Sequence, residues 1–153
     1  SRGSKNPEPL RVVFTKSLDL PSESHLWDCS KAKTLVIYDS STANESYLSR
    51  IPKCVEVEKV PSDNPDLISK ILAKRGCNKV LWECGPGLAT AAIQSECIQE
   101  LITFIAPKIL GGENNMSPLG DFEFREMNKV IKLSDLQVSL FDNDIYVKGS
   151  FKN

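Results

Sequence analysis

The sequence predicts an α/β fold: a mostly parallel sheet with helices between its strands and an antiparallel hairpin at the C-terminal end. Three observations carry this prediction. Short β-branched runs recur at Leu10–Phe14 and Thr34–Tyr38, long enough for strands and too short for helices. A helical period separates later runs, with Leu67, Ile68, Ile71 and Leu72 on one face. Two alternating runs near the end, Asp135–Leu140 and Asp144–Phe151, flank the turn-forming Phe141-Asp142-Asn143-Asp144. Early strand–helix alternation followed by a hairpin gives a parallel sheet with an antiparallel edge.

Each element has a local reason. Ser1–Glu8 is polar, with Gly3 and Pro7, and reads as an extended lead-in. The first strand is Leu10–Phe14. Ser17–Asp28 holds Pro21, Ser22 and Ser24 and reads as a loop, with Leu20 and Leu26-Trp27 tucked against the core. Thr34–Tyr38 is a second, buried strand ending in the loop Asp39-Ser40-Ser41, and a weak helical stretch follows around Asn44–Ser49. Val55–Val60 alternates apolar and charged residues, which places it near a sheet edge with one wet face. Pro61–Pro65 starts a helix over Asp66–Arg75 that Gly76 ends. Val80-Leu81-Trp82 reads as a buried strand, Gly85-Pro86-Gly87 as a tight turn, and Leu88–Cys97 as a helix. Leu101–Ala106 is another buried strand closed by Pro107, and Gly111-Gly112 marks a sharp bend. Phe122, Phe124, Val130 and Ile131 read as a flap and a short return to the core.

Composition narrows the function. The 153 residues suffice for one domain with a real core, and 41% hydrophobic with 25% charged residues is ordinary for a soluble protein. A net charge of −1 without a basic run argues against a nucleic-acid surface. No apolar run approaches a membrane span, and the N-terminal residues do not form a secretory signal. Five cysteines, an odd number without C-x-x-C, argue against a disulfide scaffold or zinc ribbon and for reduced cytosolic thiols. No metal cluster is visible. Cys84 lies beside the glycine turn, but the only histidine, His25, is far away in a polar loop, which disfavours a Cys-His mechanism.

The segment Lys79–Ala92 carries the functional signal. Strand, glycine turn and helix in that order make an anion site. Glycines let a ligand approach the backbone, and the unpaired first-turn N–H groups with the helix dipole favour a phosphate. Thr90 stands where the third glycine of G-x-G-x-x-G would be, and no Walker Lys-Ser/Thr follows, so P-loop and S-adenosylmethionine readings lack their partner motifs. A tight connection that binds nothing has the same pattern. Glu83, at the predicted carboxyl end of a strand, sits where open α/β sheets bind ligands; a helix charge partner or a solvated carboxylate is the plain alternative.

Pro9-Leu10-Arg11-Val12-Val13, Leu81-Trp82-Glu83-Cys84-Gly85-Pro86-Gly87-Leu88-Ala89, Gln99-Glu100-Leu101 and Ala106-Pro107-Lys108-Ile109-Leu110-Gly111-Gly112 follow one another in an order and spacing that resemble one family. It is the C-terminal reductase domain of the bifunctional riboflavin biosynthesis protein RibD. The resemblance covers nearly the whole chain. It implies a dihydrofolate-reductase-like three-layer sandwich. It also implies NADPH-dependent reduction of 5-amino-6-(5-phosphoribosylamino)uracil to the ribitylamino compound, hydride going to the sugar carbon C1′.

The resemblance carries roles to single positions. Glu83 matches the substrate-contacting glutamate. Gly85, Pro86, Gly87, Leu88, Ala89, Thr90 and Ala91 match the NADPH-binding segment, and Gly111 and Gly112 a turn near the cofactor. Arg2 matches an arginine that grips the substrate, and Lys16 or Ser17 a further cofactor contact. No catalytic residue is assigned and no metal is required. The resemblance implies a homodimer in the cytoplasm with no membrane or nucleic-acid partner. The family's domain has a part upstream of the segment matched here, and no deaminase signature (H-x-E, P-C-x-x-C) occurs, so the expectation is a chain that alone binds NADPH weakly and reduces nothing. The competing expectation is a non-catalytic nucleotide-binding or dimerisation module of the same fold.

Overall fold

In the computed structural model the residues described are 8–109, 111 and 117–152. The chain divides into two compact units, Ser1–Asp63 and Asn64–Asn153.

The first unit is a parallel sheet of order β1-β2-β3, formed by β1 (Arg11–Thr15), β2 (Thr34–Asp39) and β3 (Glu56–Val60). Val13 pairs with Val36 across β1 and β2, and Val36 with Val57 across β2 and β3. The central strand is β2, and all six of its residues are buried, as expected of an apolar run between two neighbours. β3 is the edge strand the alternating charges predict. Leu18, Val36, Tyr38 and Val55 form a core cluster, and Leu20, Trp27, Tyr47, Leu48 and Ile51 pack around it. Short 3-10 turns occupy His25–Trp27 and Glu45–Arg50, each capped by the side chain before it, Ser24 and Asn44.

Arg11 organises the loop ahead of β2. Its guanidinium donates to the carbonyls of His25 (2.6 Å), Asp28 (2.6 Å) and Ala32 (2.7 Å). The Thr34 hydroxyl adds a bond to Leu26 O at 3.0 Å. Cys29 of this loop is disulfide-bonded to Cys54, with Cα atoms 6.3 Å apart. This corrects the expectation of five reduced thiols; Cys77, Cys84 and Cys97 are free. An odd cysteine count does not reveal a pair that folding brings together from 25 residues apart.

The second unit holds α1 (Pro65–Lys74), α2 (Pro86–Gln94) and an antiparallel sheet of order β4-β6-β5, made of β4 (Glu100–Ile105), β5 (Leu133–Phe141) and β6 (Asp144–Phe151). α1 starts at the Asn64 cap with Pro65 in its first turn and buries Pro65, Ile68 and Leu72. It stops where predicted. Gly76 takes φ +84°, and the N–H groups of Gly76 and Cys77 return to Ala73 O (2.9 Å) and Leu72 O (3.0 Å), the Schellman pattern. The β5–β6 hairpin is present, with Phe141 opposite Asp144 and Asp142 at φ +53°.

Three expectations fail here. Val80-Leu81-Trp82 is not a strand: among the described residues neither sheet pairs with it, and Leu81 is 74% exposed. An apolar run becomes a strand only when another strand completes its backbone hydrogen bonds. β4 exists but is not buried, since Ile102, Phe104 and Ile105 are exposed. Phe122 and Phe124 stack on each other (5.4 Å between centroids), and Phe124 is exposed rather than returned to a core.

Candidate functional site

The glycine-proline helix start is present without the strand expected before it. Gly85 is the N-cap of α2 in extended backbone, φ −69° and ψ 169°, and its carbonyl accepts the first helical bond from Ala89 N at 3.0 Å. Pro86 occupies the first helical position and has no N–H to satisfy. Gly87 and Leu88 follow, and their N–H groups point out of the helix end with no intrahelical acceptor. No side chain caps this end. A Cβ built on Gly85 or Gly87 meets nothing within 4 Å, so the corner is open to an approaching group. An open, uncapped helix N-terminus with glycine on either side of the proline fits an anion such as a phosphate.

Behind the opening the corner is braced. Thr90 is buried, and its hydroxyl accepts from the backbone N–H of Gly120 at 2.8 Å; the same N–H lies 3.4 Å from Pro86 O. Thr90 therefore holds the Ser117–Asp121 segment against the first turn of α2, and its oxygen is already engaged. Ala89 and Ala91 are half-buried on the helix. Glu83 is exposed in the irregular run before Gly85, and no strand end presents it. Burial pushes the nearby Cys84 thiol up, which leaves it a poor nucleophile near neutrality.

In the first unit Lys16 and Ser17 lie just past β1, both exposed. Lys16 is ion-paired with Asp63, and the hydrogen bond it donates to that carboxylate raises its pKa, Asp39 adding a smaller pull. The Ser17 hydroxyl accepts from Asp19 N at 3.2 Å. Arg2 and Gly112 lie outside the described residues; Gly111 takes φ +62°, the sharp bend its type predicts.

Sequence reasoning passed over Asp39. It ends β2, is 4% exposed, and its carboxylate accepts from the Ser41 hydroxyl (2.6 Å) and Ser41 N (2.8 Å). Those bonds, the hydroxyl foremost, hold its pKa below the usual carboxylate range against the opposing cost of burial. Asp39-Ser40-Ser41-Thr42 at the end of the Leu35-Val36-Ile37 strand was the available signal. This places Lys16, Asp39 and Ser41 at the carboxyl ends of a parallel sheet, where α/β proteins take up ligands.

Two clefts of the first unit lie elsewhere. One, about 360 Å³, is lined by Leu18, Leu20, Trp27, Tyr47, Arg50 and Ile51, with Arg50 stacked 4.2 Å over the Tyr47 ring. The other, about 480 Å³, is lined by Tyr38, Leu48, Ile51, Pro52, Val55 and Lys59, among others. Among the described residues no three groups are placed to hold a metal ion, and no helix is long and apolar enough to cross a membrane.

Comparison with known proteins gives this corner a context. The profile of the RibD C-terminal domain matches residues 1–147. The chain is 40% identical over 151 residues to riboflavin biosynthesis protein RibD of Synechocystis, covering 97% of this chain and 40% of that protein. It is 36% identical over 149 residues to the chloroplastic riboflavin biosynthesis protein PYRR of Arabidopsis thaliana, covering 97% of this chain and 25% of that protein. The chain thus spans well under half the length of either relative. A Thermotoga maritima structure titled diaminohydroxyphosphoribosylaminopyrimidine deaminase/5-amino-6-(5-phosphoribosylamino)uracil reductase superposes with TM-score 0.70 at 17% identity, covering 99% of this chain and 40% of that one. That likeness establishes a shared α/β fold. With its motifs in order and the match running over nearly its whole length, the chain belongs to the RibD C-terminal domain family.

Proposed function

We propose that this chain is the NADPH-binding, substrate-holding part of a 5-amino-6-(5-phosphoribosylamino)uracil reductase in riboflavin biosynthesis. The observation that carries the proposal is the open, uncapped N-terminus of α2 at Gly85-Pro86-Gly87, in a member of this family. The Gly87 and Leu88 N–H groups donate to a cofactor phosphate, and the helix dipole favours its charge. Thr90 and Gly120 keep the first turn in place. Lys16 and Ser17 serve a second anionic part of the cofactor; Lys16 exchanges Asp63 for phosphate. NADPH supplies the hydride when bound. Glu83, exposed and acceptor-only when ionised, holds donor groups of the phosphoribosylamino-pyrimidine substrate. Arg2 contacts that substrate as well.

A homodimer belongs to this reading, and so does action in the cytoplasm. Exposed Ile102, Phe104, Leu136, Val138 and Leu140 on the antiparallel sheet support association. The same exposed surface favours a second reading, a non-catalytic dimerisation module. NADPH titration followed by cofactor fluorescence and by thermal shift separates the two. The reductase reading expects weak but saturable NADPH binding with preference over NADH, and no turnover by the chain alone when the phosphoribosylamino substrate is added. Absence of any nucleotide-dependent stabilisation supports the module.

A further inference from the structure

We propose that Cys29–Cys54 is a reducible clasp, a redox switch that frees the Pro52–Cys54 turn of the first unit when a dithiol donor opens it. The proposal is independent of the nucleotide-binding reading. It rests on an asymmetry between the two halves of the bond.

The Cys29 half is held without the disulfide. Arg11 donates to three carbonyls of its loop, at His25, Asp28 and Ala32 (2.6, 2.6 and 2.7 Å). Cys29 N bonds Trp27 O at 3.0 Å, and the Thr34 hydroxyl and the Trp27 ring N–H tie down Leu26 O (3.0 Å) and Pro21 O (2.7 Å). The Cys54 half is a short exposed turn closed by Val55 N to Pro52 O at 3.0 Å. Ile51 and Val55 anchor the two ends of this turn in the core, and the disulfide fastens its exposed tip, Lys53-Cys54, to a fixed loop.

The turn matters because of what it carries. Ile51, immediately before it, packs against the core cluster and lines both clefts of the first unit. Pro52 and Lys53 line the second cleft. Releasing Cys54 frees the wall between the two clefts while the Cys29 loop stays in place.

Chemically, Cys54 is exposed and Cys29 half-buried, so Cys54 is the half an incoming thiolate attacks. Attack there forms a mixed disulfide between donor and Cys54, and Cys29 leaves as thiolate and takes up a proton. The donor's second thiolate then attacks its own sulfur in the mixed disulfide and expels Cys54, also protonated on leaving. Two electrons and two protons pass to the protein, and the donor dithiol becomes a disulfide. Lys53, next to Cys54, favours the approaching thiolate.

The test is alkylation and hydrogen exchange on the intact chain. As purified without reductant and then denatured, the chain takes up label at the three free cysteines only; after native incubation with dithiothreitol it takes up label at all five. Reduction raises amide exchange over residues 51–55 and leaves 25–33 protected, and Tm falls by about 10 °C. Reoxidation restores both. Cys54→Ser shows the same exchange pattern without reductant. Five labelled cysteines in the untreated protein, a bond that resists native dithiothreitol, or equal loss of protection over 25–33 each overturns the proposal.

Discussion

The Thr90 hydroxyl accepts a hydrogen bond from the backbone N–H of Gly120 at 2.8 Å, joining two segments 30 residues apart. Thr90 falls within the segment that the family resemblance gives to the cofactor. Its oxygen accepts from a protein partner, so Thr90 braces the corner, and the hydroxyl hydrogen is left over from that bond. Thr90→Val keeps the side-chain shape and removes the acceptor. The expected cost is about 1 kcal/mol, from loss of one buried hydrogen bond. Thermal unfolding checks it, with Thr90→Ser, which keeps the acceptor but loses a buried methyl worth about 0.8 kcal/mol, measuring the packing share of any loss.

Gly87 offers a test in which stability and binding move in opposite directions. Its Cβ position is empty, so Gly87→Asp introduces no clash. A carboxylate in the first turn of α2 stabilises the helix by roughly 0.3–1 kcal/mol. The same charge repels a phosphate at the Gly87 and Leu88 N–H groups. The variant is expected to melt no lower than wild type and to lose NADPH binding by tenfold or more in titration, an estimate of about one unit charge at short range in high dielectric. Gly87→Ala, sterically allowed, is expected to retain binding.

Arg11 is expected to be among the most sensitive positions of the first unit. It satisfies three carbonyls from one guanidinium, and an ammonium cannot span all three. Arg11→Lys should cost on the order of 1 kcal/mol and Arg11→Leu more, since two part-buried carbonyls and one exposed one lose their donor. Urea unfolding with the disulfide intact measures both.

Asp39 makes the first unit acid-sensitive. Its folded pKa lies below its ordinary value of 3.8 because the Ser41 hydroxyl and N–H bond the ionised form. A depressed folded pKa contributes stability that is fully present above the unfolded value and is lost as pH falls through the folded one. Stability relative to Asp39→Asn is therefore expected to be largest near neutrality and to shrink below about pH 4. Denaturation at a series of pH values reads the gap directly.

Glu96 closes α2 in the left-handed region, at φ +55°, while Cys97 N bonds Ala92 O at 3.1 Å. Glycine takes that conformation without the Cβ penalty. Glu96→Gly is expected to raise stability by about 0.5 kcal/mol, the left-handed penalty less the added freedom of the unfolded chain. A small upward shift of Tm is the readout.

These positions also show what the sequence could reveal. β2 was legible because the five-residue β-branched and aromatic run Thr34–Tyr38, bounded by turn formers, suits a buried strand, and α1 because Asn64-Pro65 starts it and Gly76 stops it. The α2 corner was legible for the same local reason, as glycine and proline mark a helix start. What escaped was long-range. Val80–Trp82 has the composition of a strand, but strand formation depends on a neighbour that composition does not record. The Arg11 clamp uses backbone carbonyls, which every residue has. Cys29 with Cys54, and Thr90 with Gly120, are pairings that only the folded chain brings together.

The register of β5 against β6 slips between Ser134 and Gln137, where Asp135 sits at φ +53°. β5 is an edge strand, and beyond the slip it presents Leu136, Val138 and Leu140 to solvent. Straightened, it would be a nine-residue greasy ribbon with one row of backbone groups unclaimed, an invitation to fibrous stacking. The irregularity twists that ribbon out of true, and the carboxylate at its bend penalises any strand that tries to lie alongside. A single misfit residue thus acts as a safeguard against runaway assembly, on a strand that shows three apolar side chains to solvent.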